Sequence, residues 1–292
     1  MTRPPLLLGT FVTPLNSPPE FAVDRAVLAE ELGFDLVTFQ DHPYQPRFHD
    51  TWTLLTWVAA RTTRVQLAAN VHNVPMRPPA VLARAAASLD LLSGGRVNLA
   101  LGAGAFWDAM AAMGVERLTP GESLQAFREA LDVIAGIWNV DDRAPLRVEG
   151  RFHHLNGAKR GPAPAHDIPI WVGAVGPRMQ ALTGERADGW LPSLAYVGLD
   201  GLRAGNARID DAARRSGREP DDIRRLLNVE GRFSPVESGF LNGPASLWVE
   251  QLADLATVDG ISAFILSTDD AETLRRFAAE VAPELRDRLA AV

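Results

Sequence analysis

Residues 169–190 read PIWVGAVGPRMQALTGERADGW. The stretch begins with a short apolar run, passes through Gly173 and Gly176, continues with helical spacing and ends in a second short run at Gly189. A strand, a glycine-containing turn, a helix and another strand in this order are typical of one β-α-β unit. The stretch therefore predicts a parallel sheet with helices packed against it.

The same alternation occurs eight times along the 292 residues. The predicted strands are Leu6 to Val12, Asp35 to Phe39, Val65 to Val71, Val97 to Gly102, Pro169 to Gly173, Gly189 to Pro192, Arg224 to Gly231 and Ile261 to Ser267. Eight such units in a chain of this length predict a (β/α)8 TIM barrel that forms a single domain over residues 1–292. The segment 141–167 contains LRVEGRFHHL, which alternates like a small hairpin, and is expected to be an insertion before strand 5.

A doubly wound open sheet is the alternative fold. Its dinucleotide fingerprint, G-x-G-x-x-G, is expected in the first turn between a strand and a helix. The residues there, GTFVTPLNSPPEF, do not contain it. The barrel is therefore favoured.

Composition narrows the classes of function. A net charge of −7 argues against a nucleic-acid partner, and the run LLLGTFV is too short for a membrane span and lacks the flanks of an export signal. A cytoplasmic protein with a small-molecule substrate is expected. The absence of cysteine excludes disulfides, a thiolate nucleophile and cysteine-ligated clusters. No helix carries two histidines four residues apart, so no metal site is predicted.

In a (β/α)8 barrel the active site lies at the carboxyl ends of the strands. The polar residues predicted to follow or end the strands are Gln40, Asp41, His42, Asn70, His72, Asn73, Asp108 and Glu230. Any one of them alone is more often a turn residue, but together they converge on one face. Adjacent Asp41 and His42 can position or transfer a proton near neutral pH.

The turn from Gly173 to Pro177 is a candidate phosphate cradle. Glycine lets an anion approach the backbone, proline at the first helical position costs no hydrogen bond, and the helix N-terminus offers free N–H groups beside Arg178. A tight turn that needs a positive φ is the alternative interpretation. Phosphate sites in barrels more often follow strands 7 and 8, which weighs against the cradle.

Three segments carry a family resemblance: FDLVTFQDHPYQP (34–46), RPPAVLARAAASLDLLSGGRVNLALGAG (77–104) and IPIWVGAVGPRMQALTGERADGWLPS (168–193). In this order and spacing they resemble the luciferase-like flavin and deazaflavin oxidoreductases. The resemblance covers nearly the whole chain and implies a (β/α)8 barrel that binds FMN or the deazaflavin coenzyme F420 at its mouth, often as a homodimer. The aspartate and histidine pair and the VGPRM turn are closer to the F420-dependent branch.

The resemblance also implies residue roles. Asp41 would touch the edge of the deazaflavin ring, and His42 would face the substrate as a proton donor or charge stabiliser. Ala69 to Val71 would form a bulge beneath the ring, often with a non-prolyl cis peptide. The implied cofactor-binding residues are Asp41, Ala69, Asn70, Val71, Asp108, Gly173, Ala174, Val175, Gly176, Pro177 and Arg178.

One departure bears on the substrate. Sugar-phosphate dehydrogenases of this family carry a glutamate just after the fourth-strand glycines, whereas Gly104 is followed here by Ala105, Phe106 and Trp107. A sugar phosphate is therefore doubtful as substrate, and an apolar pocket is expected, although Phe106 and Trp107 could equally be structural. The candidate pocket residues are Phe11, Phe106, Trp107 and Glu230.

The leading hypothesis is an F420-dependent oxidoreductase that transfers a hydride between the deazaflavin and an organic, apolar substrate. An FMN-dependent monooxygenase that uses oxygen is the first alternative. A non-catalytic cofactor-binding barrel and a phosphate-binding isomerase with Glu230 as base are two others.

Overall fold

Eight parallel strands form the centre of the computed structural model, which describes residues 4–291. The strands are β1 (Leu7–Val12), β2 (Leu36–Phe39), β3 (Gln66–Ala69), β4 (Leu99–Gly102), β5 (Ile170–Val172), β6 (Gly189–Trp190), β7 (Arg224–Val229) and β8 (Ala263–Ser267). Each pairs in parallel with its neighbours in chain order, β1 pairs with β8, and a bridge between Leu67 and Val97 joins the β3 and β4 segments. The predicted barrel is confirmed, with every strand at its predicted place.

Helices surround the strands. They are α1 (Phe21–Glu31), α2 (Thr51–Arg61), α3 (Pro79–Ser93), α4 (Trp107–Ala112), α5 (Pro120–Trp138), α6 (Pro177–Arg186), α7 (Leu194–Arg215), α8 (Ala245–Val258), α9 (Ala271–Arg276) and α10 (Ala282–Ala290), with a π-helical turn at Phe277–Val281. Within residues 4–291 no helix is long and apolar enough to cross a membrane. The assignment of one domain to residues 1–292 stays a prediction, and residues 1–3 and 292 lie outside the described part.

The predicted insertion contains an antiparallel hairpin. Its strands, Leu146–Glu149 and His154–Ala158, lie between α5 and β5. Two further short strands, Arg232–Phe233 and Asn242–Gly243, pair with each other after β7, and the two-residue strand His72–Asn73 extends β3 and pairs with β4. These additions lie in the connections between barrel units.

The core has two parts because the strands are buried on both faces. Inside the barrel, side chains from seven strand segments pack together: Leu36, Ala68, Ala100, Trp171, Leu191, Leu226, Ala263 and Ile265. The opposite strand faces pack against the helices in a second, larger cluster. Strands covered on both sides read as continuous apolar runs, which is why their positions were readable from the sequence.

Close packing of α6 against α7 fixes the helix that follows the predicted cradle. A Cβ atom added at Gly184 in α6 would collide with the carbonyl oxygen of Ile209 and lie 2.9 Å from Cβ of Ala212. Only a glycine therefore lets these helices approach so closely.

We expect Gly184→Ala to destabilise the fold by about 1–3 kcal/mol, because backbone atoms of α7 would have to move. Gly121→Ala in the first turn of α5 is the matched control, since nothing lies within 4 Å of a Cβ added there. Thermal unfolding of both variants tests this. Equal melting temperatures for Gly184→Ala and the wild type would contradict the packing argument.

Candidate active site

The floor of the barrel mouth is a network of amides and hydroxyls. Asn70, just after β3, and Asn228 in β7 exchange two side-chain hydrogen bonds of 2.8 and 3.0 Å across the barrel. The amide of Asn70 also donates to Thr38 Oγ1 at 3.2 Å, and that of Asn228 donates to Ser193 Oγ at 3.0 Å. The network holds Asn70 in one orientation at the centre of the mouth.

Val71 follows Asn70 through a cis peptide bond and turns its side chain toward β4 and β5. A Cβ added at Gly102 would lie 2.6 Å from Val71 Cγ2, and one at Gly173 would lie 3.1 Å from it. A side chain at Gly102 would therefore collide with Val71, and one at Gly173 would require Val71 to shift slightly. Neither Gly173 nor Gly176 has a positive φ.

Asp41, after β2, is 1% exposed and is held by Arg77. Arg77 donates from Nη2 to Oδ1 at 2.6 Å and from Nε to Oδ2 at 2.8 Å, and the backbone N–H of Asn73 donates to Oδ2 at 3.0 Å. Burial acts to raise the pKa of Asp41, but the hydrogen bonds and charge of Arg77 outweigh it and hold the pKa far below its usual range. Asp41 is thus ionised at every physiological pH.

Arg77 also joins two loops. Its Nη2 donates to Asp50 Oδ2 at 2.8 Å, and Asp50 caps α2 by accepting from the N–H of Thr53 at 3.0 Å. The guanidinium on the loop after β3 is therefore shared between two carboxylates on the loop after β2. Arg77 was not among the sequence-predicted site residues, because nothing in the pattern distinguishes it from the other arginines.

His72 lies behind Asp41 and is fully covered. Its ring stacks on Trp52 with centroids 4.4 Å apart, and its Nδ1 lies 3.5 Å from Asp41 Oδ2 without the geometry of a hydrogen bond. Burial lowers the pKa of His72, although Asp41 acts in the opposite direction. At neutral pH the imidazole is neutral, so Arg77 supplies the counter-charge of Asp41.

His42 belongs to a group of three rings at the rim. It stacks on Tyr44 at 5.2 Å and meets Phe106 edge-on at 5.2 Å, while Tyr44 and Phe106 are 6.0 Å apart. Burial lowers the pKa of His42 despite the charge of Asp41, so its imidazole is also neutral at pH 7. These rings join the loops after β2 and β4.

Tyr44 is a second residue that the sequence analysis missed. Its hydroxyl is buried and has no hydrogen-bond partner within residues 4–291, and burial together with Asp41 raises its pKa to about 12. The hydroxyl is therefore a neutral, unused donor. Its position two residues after His42 was the available signal.

The loop after β5 ends at an open helix N-terminus. Gly176 precedes α6 with φ −81° and ψ 149° and, as a glycine, has no side chain that could cap the helix. A Cβ added to it would meet nothing within 4 Å. The first helical hydrogen bond runs from the N–H of Gln180 to Gly176, which leaves the N–H groups of Arg178 and Met179 pointing outward. The Arg178 side chain is exposed, with no ion-pair or hydrogen-bond partner in the described chain. This is the geometry of an anion site.

The remaining predicted residues lie as follows. Ala69 ends β3, Ala174 is buried and accepts a hydrogen bond from Trp190 at 2.8 Å, and Val175 is 63% exposed beside Gly176 and Pro177. Phe11 packs on the cluster inside the barrel, and Trp107 begins α4.

Two predicted residues are exposed. Glu230 is exposed just after β7, and the exposed carboxylate of Asp108 forms an ion pair with Arg117. That pair turns Asp108 toward a surface partner.

We expect Arg77→Met to destabilise the protein by about 3–5 kcal/mol at pH 7–8, because it leaves the Asp41 carboxylate buried without its counter-charge. Arg186→Met is the control, since Arg186 makes an ion pair with the half-exposed Asp132 and such pairs contribute under about 1 kcal/mol. Chemical denaturation of both variants tests the difference.

The pH dependence of the free energy of unfolding follows from the direction in which the pKa of Asp41 moves in each protein. In the wild type the lowered pKa of Asp41 gives stability that is complete above about pH 4 and lost as the pH falls further. In Arg77→Met, burial alone would raise this pKa, so the variant's deficit should shrink between pH 8 and pH 5. A deficit that is independent of pH would contradict the assigned pairing.

Residues 7–230 match the family described as luciferase-like monooxygenase. Two curated relatives are named F420-dependent glucose-6-phosphate dehydrogenase. The one from Microbacterium testaceum is 30% identical over 94% of this chain and 88% of its own length. The one from Kineococcus radiotolerans is 35% identical over 85% of this chain and 75% of its own.

Solved structures agree on the fold. An F420-dependent secondary alcohol dehydrogenase in complex with an F420–acetone adduct superposes with a TM-score of 0.86 at 20% identity, over 97% of this chain and 100% of that one. A long-chain alkane monooxygenase superposes with a TM-score of 0.81 at 15% identity, over 99% and 92%. At these identities the likeness concerns the fold.

Proposed function

Because the chain belongs to the luciferase-like monooxygenase family, we propose that it is an F420-dependent oxidoreductase. It transfers a hydride between the deazaflavin and an organic, largely apolar small molecule. The curated relatives carry F420-dependent names, which supports the deazaflavin over FMN. The observation on this chain that carries the proposal is the open N-terminus of α6, with Gly176 and the unpaired Arg178, at the same rim as Asp41 and His42.

The mouth fits a planar polar ring joined to a phosphate. Tyr44 Oη after β2 and Asn73 Oδ1 after β3 are buried and have no hydrogen-bond partner in residues 4–291. Unsatisfied buried groups are costly unless something binds them. In this proposal Asn70 and Val71 lie beneath the ring, and Gly176 and Arg178 hold the phosphate. F420 bound here would supply two-electron hydride chemistry, while the protein supplies orientation and excludes water.

His42 is assigned to proton transfer with the substrate. Its neutral imidazole can accept or donate a proton near neutral pH, and the rings of Tyr44 and Phe106 keep bulk water away from it. Asp41 is assigned to the ring edge. Oδ2 accepts from both Arg77 and Asn73, whereas Oδ1 accepts from Arg77 alone, so Oδ1 can accept one more hydrogen bond from a fixed position.

An apolar substrate is favoured by the residues around His42. Phe106 is 52% exposed, and Ala105 directly follows Gly104, where the resemblance places the glutamate of the sugar-phosphate dehydrogenases. Arg77 is already neutralised by Asp41 and Asp50, and Arg178 is assigned to the cofactor phosphate. The mouth therefore offers a second anion little to bind. Because such an enzyme needs its cofactor recycled by other enzymes, we place it in the cytoplasm.

Binding and turnover should respond to different substitutions. We expect His42→Ala to lower kcat by about 10²–10⁴-fold while the Kd for F420 changes little. Gly176→Val should weaken F420 binding, since its side chain would fill the space in front of the α6 N-terminus. Arg178→Gln should weaken it about tenfold through loss of a charge-assisted hydrogen bond.

Arg186→Gln at the other end of α6 is the matched control and should leave the Kd unchanged. Fluorescence titration with F420 and steady-state kinetics give both quantities. Loss of F420 binding in His42→Ala with the turnover of bound enzyme intact would show that the roles are assigned wrongly.

A homodimer is proposed through α2 and α3. Trp57 on α2 is 52% exposed, and Leu91 and Leu92 on α3 are 50% and 81% exposed. Arg96 donates to the carbonyl of Ala59 at 2.7 Å, which ties the carboxyl ends of these two helices together. Exposed apolar side chains of this size on two helices that contact each other favour a second copy as the partner.

We expect the wild type to sediment as a dimer and Leu92→Lys to shift it toward monomer, because the lysine would place a charge in the interface. Val258→Lys on α8 replaces an equally exposed residue and should leave the dimer intact. Sedimentation velocity of the three proteins measures the fraction of dimer in each. A monomeric wild type, or a Leu92→Lys dimer of unchanged strength, would exclude this interface.

A further inference from the structure

A cavity of about 590 Å³ lies beside the mouth, on the outer side of the loops after β3 and β4. Most of its lining is apolar and includes Pro75, Val115, Leu118, Phe127, Phe152 and Leu155. The volume is within the range of small-molecule pockets, about 300–1,000 Å³. None of the residues assigned above to the ring or the phosphate lines it, so we treat it as a separate pocket, named here the insertion pocket.

The wall formed by the insertion is held rigidly by Glu129. This carboxylate on α5 is 5% exposed and accepts the backbone N–H groups of Arg151, Phe152 and His153 at 3.0, 2.8 and 2.9 Å. Three charge-assisted hydrogen bonds fix the turn of the insertion hairpin against α5. The insertion pocket is therefore a preformed feature.

His153 brings an unused nitrogen to this pocket. It is one of the lining residues, and its Nε2 is buried with no hydrogen-bond partner in the described part of the chain. Burial lowers the pKa of His153, so the ring is neutral at pH 7. Nε2 is therefore a buried ring nitrogen without a partner, which donates or accepts a hydrogen bond according to the tautomer.

The charges around the insertion pocket disfavour an anion. Arg77 is paired with Asp41 and Asp50, and Glu116 adds a negative charge to the lining. The neutral His153 contributes no positive charge. The lining therefore suits an uncharged molecule better than a phosphate or carboxylate.

We propose that the insertion pocket binds a neutral, mainly apolar organic molecule with one hydroxyl group, and that this hydroxyl forms a hydrogen bond with Nε2 of His153. The apolar part is held by the side chains of the β3 and β4 loops and of the insertion. The site uses none of the groups assigned to the redox reaction.

The experiment compares two probes that differ only in the hydroxyl: 2-naphthol, which is neutral at pH 7, and naphthalene. Equilibrium binding to the wild type should favour 2-naphthol about tenfold, the value of one hydrogen bond to a buried ring nitrogen. His153→Phe should abolish the preference while retaining the hydrocarbon. Ala80→Phe, which fills the insertion pocket from α3, should weaken both probes.

His154→Phe is the matched control, because His154 also lines the pocket but is exposed, and the preference should persist in it. Melting temperatures verify that each variant is folded. Equal binding of the two probes to the wild type, or unchanged binding in Ala80→Phe, would overturn the proposal. F420 titration of the same samples should give one Kd throughout, so failure of this site and failure of the proposed function are distinguishable.

Discussion

The ion pair between Asp41 and Arg77 organises the mouth of this barrel. A carboxylate that is 1% exposed can remain charged only beside a positive group, and Arg77 contacts both of its oxygens. The same guanidinium reaches Asp50, so the loops after β2 and β3 are locked to each other. His42, Asn73 and the Asn70–Val71 segment all lie within these two loops and depend on that lock for their positions.

The mouth has two electrostatically different sides. On the side of β2 and β3, the charge of Asp41 is neutralised by Arg77. Both His42 and His72 are neutral there because burial lowers their pKa values. On the side of β5, the N-terminus of α6 and Arg178 present positive charge without a partner in the described residues. The proposed binding mode uses this division: it places a ring with polar edges over Asn70 and Val71 and an anionic tail at Gly176.

The barrel was readable from the sequence because its strands are short apolar runs buried on both faces. The insertion hairpin was predictable from the alternation of apolar and polar residues. The start of α6 was predictable from the proline that follows Gly176. Arg77 was not, because its partners lie 27 and 36 residues away and only the fold brings them together. The close packing of Val71 against Gly102 and Gly173 was also hidden, since it depends on contacts between strands, and Gly173 has no positive φ. Asp108 pairs with Arg117, a contact that spacing alone does not indicate.

The central claim is that the mouth holds F420. Fluorescence titration of the wild-type protein with F420 and, separately, with FMN tests it most directly. The account predicts saturable binding of one F420 per chain, with FMN binding more weakly. Tighter binding of FMN would contradict it in favour of the oxygen-using members of the family, and binding of neither would leave the barrel without the proposed cofactor.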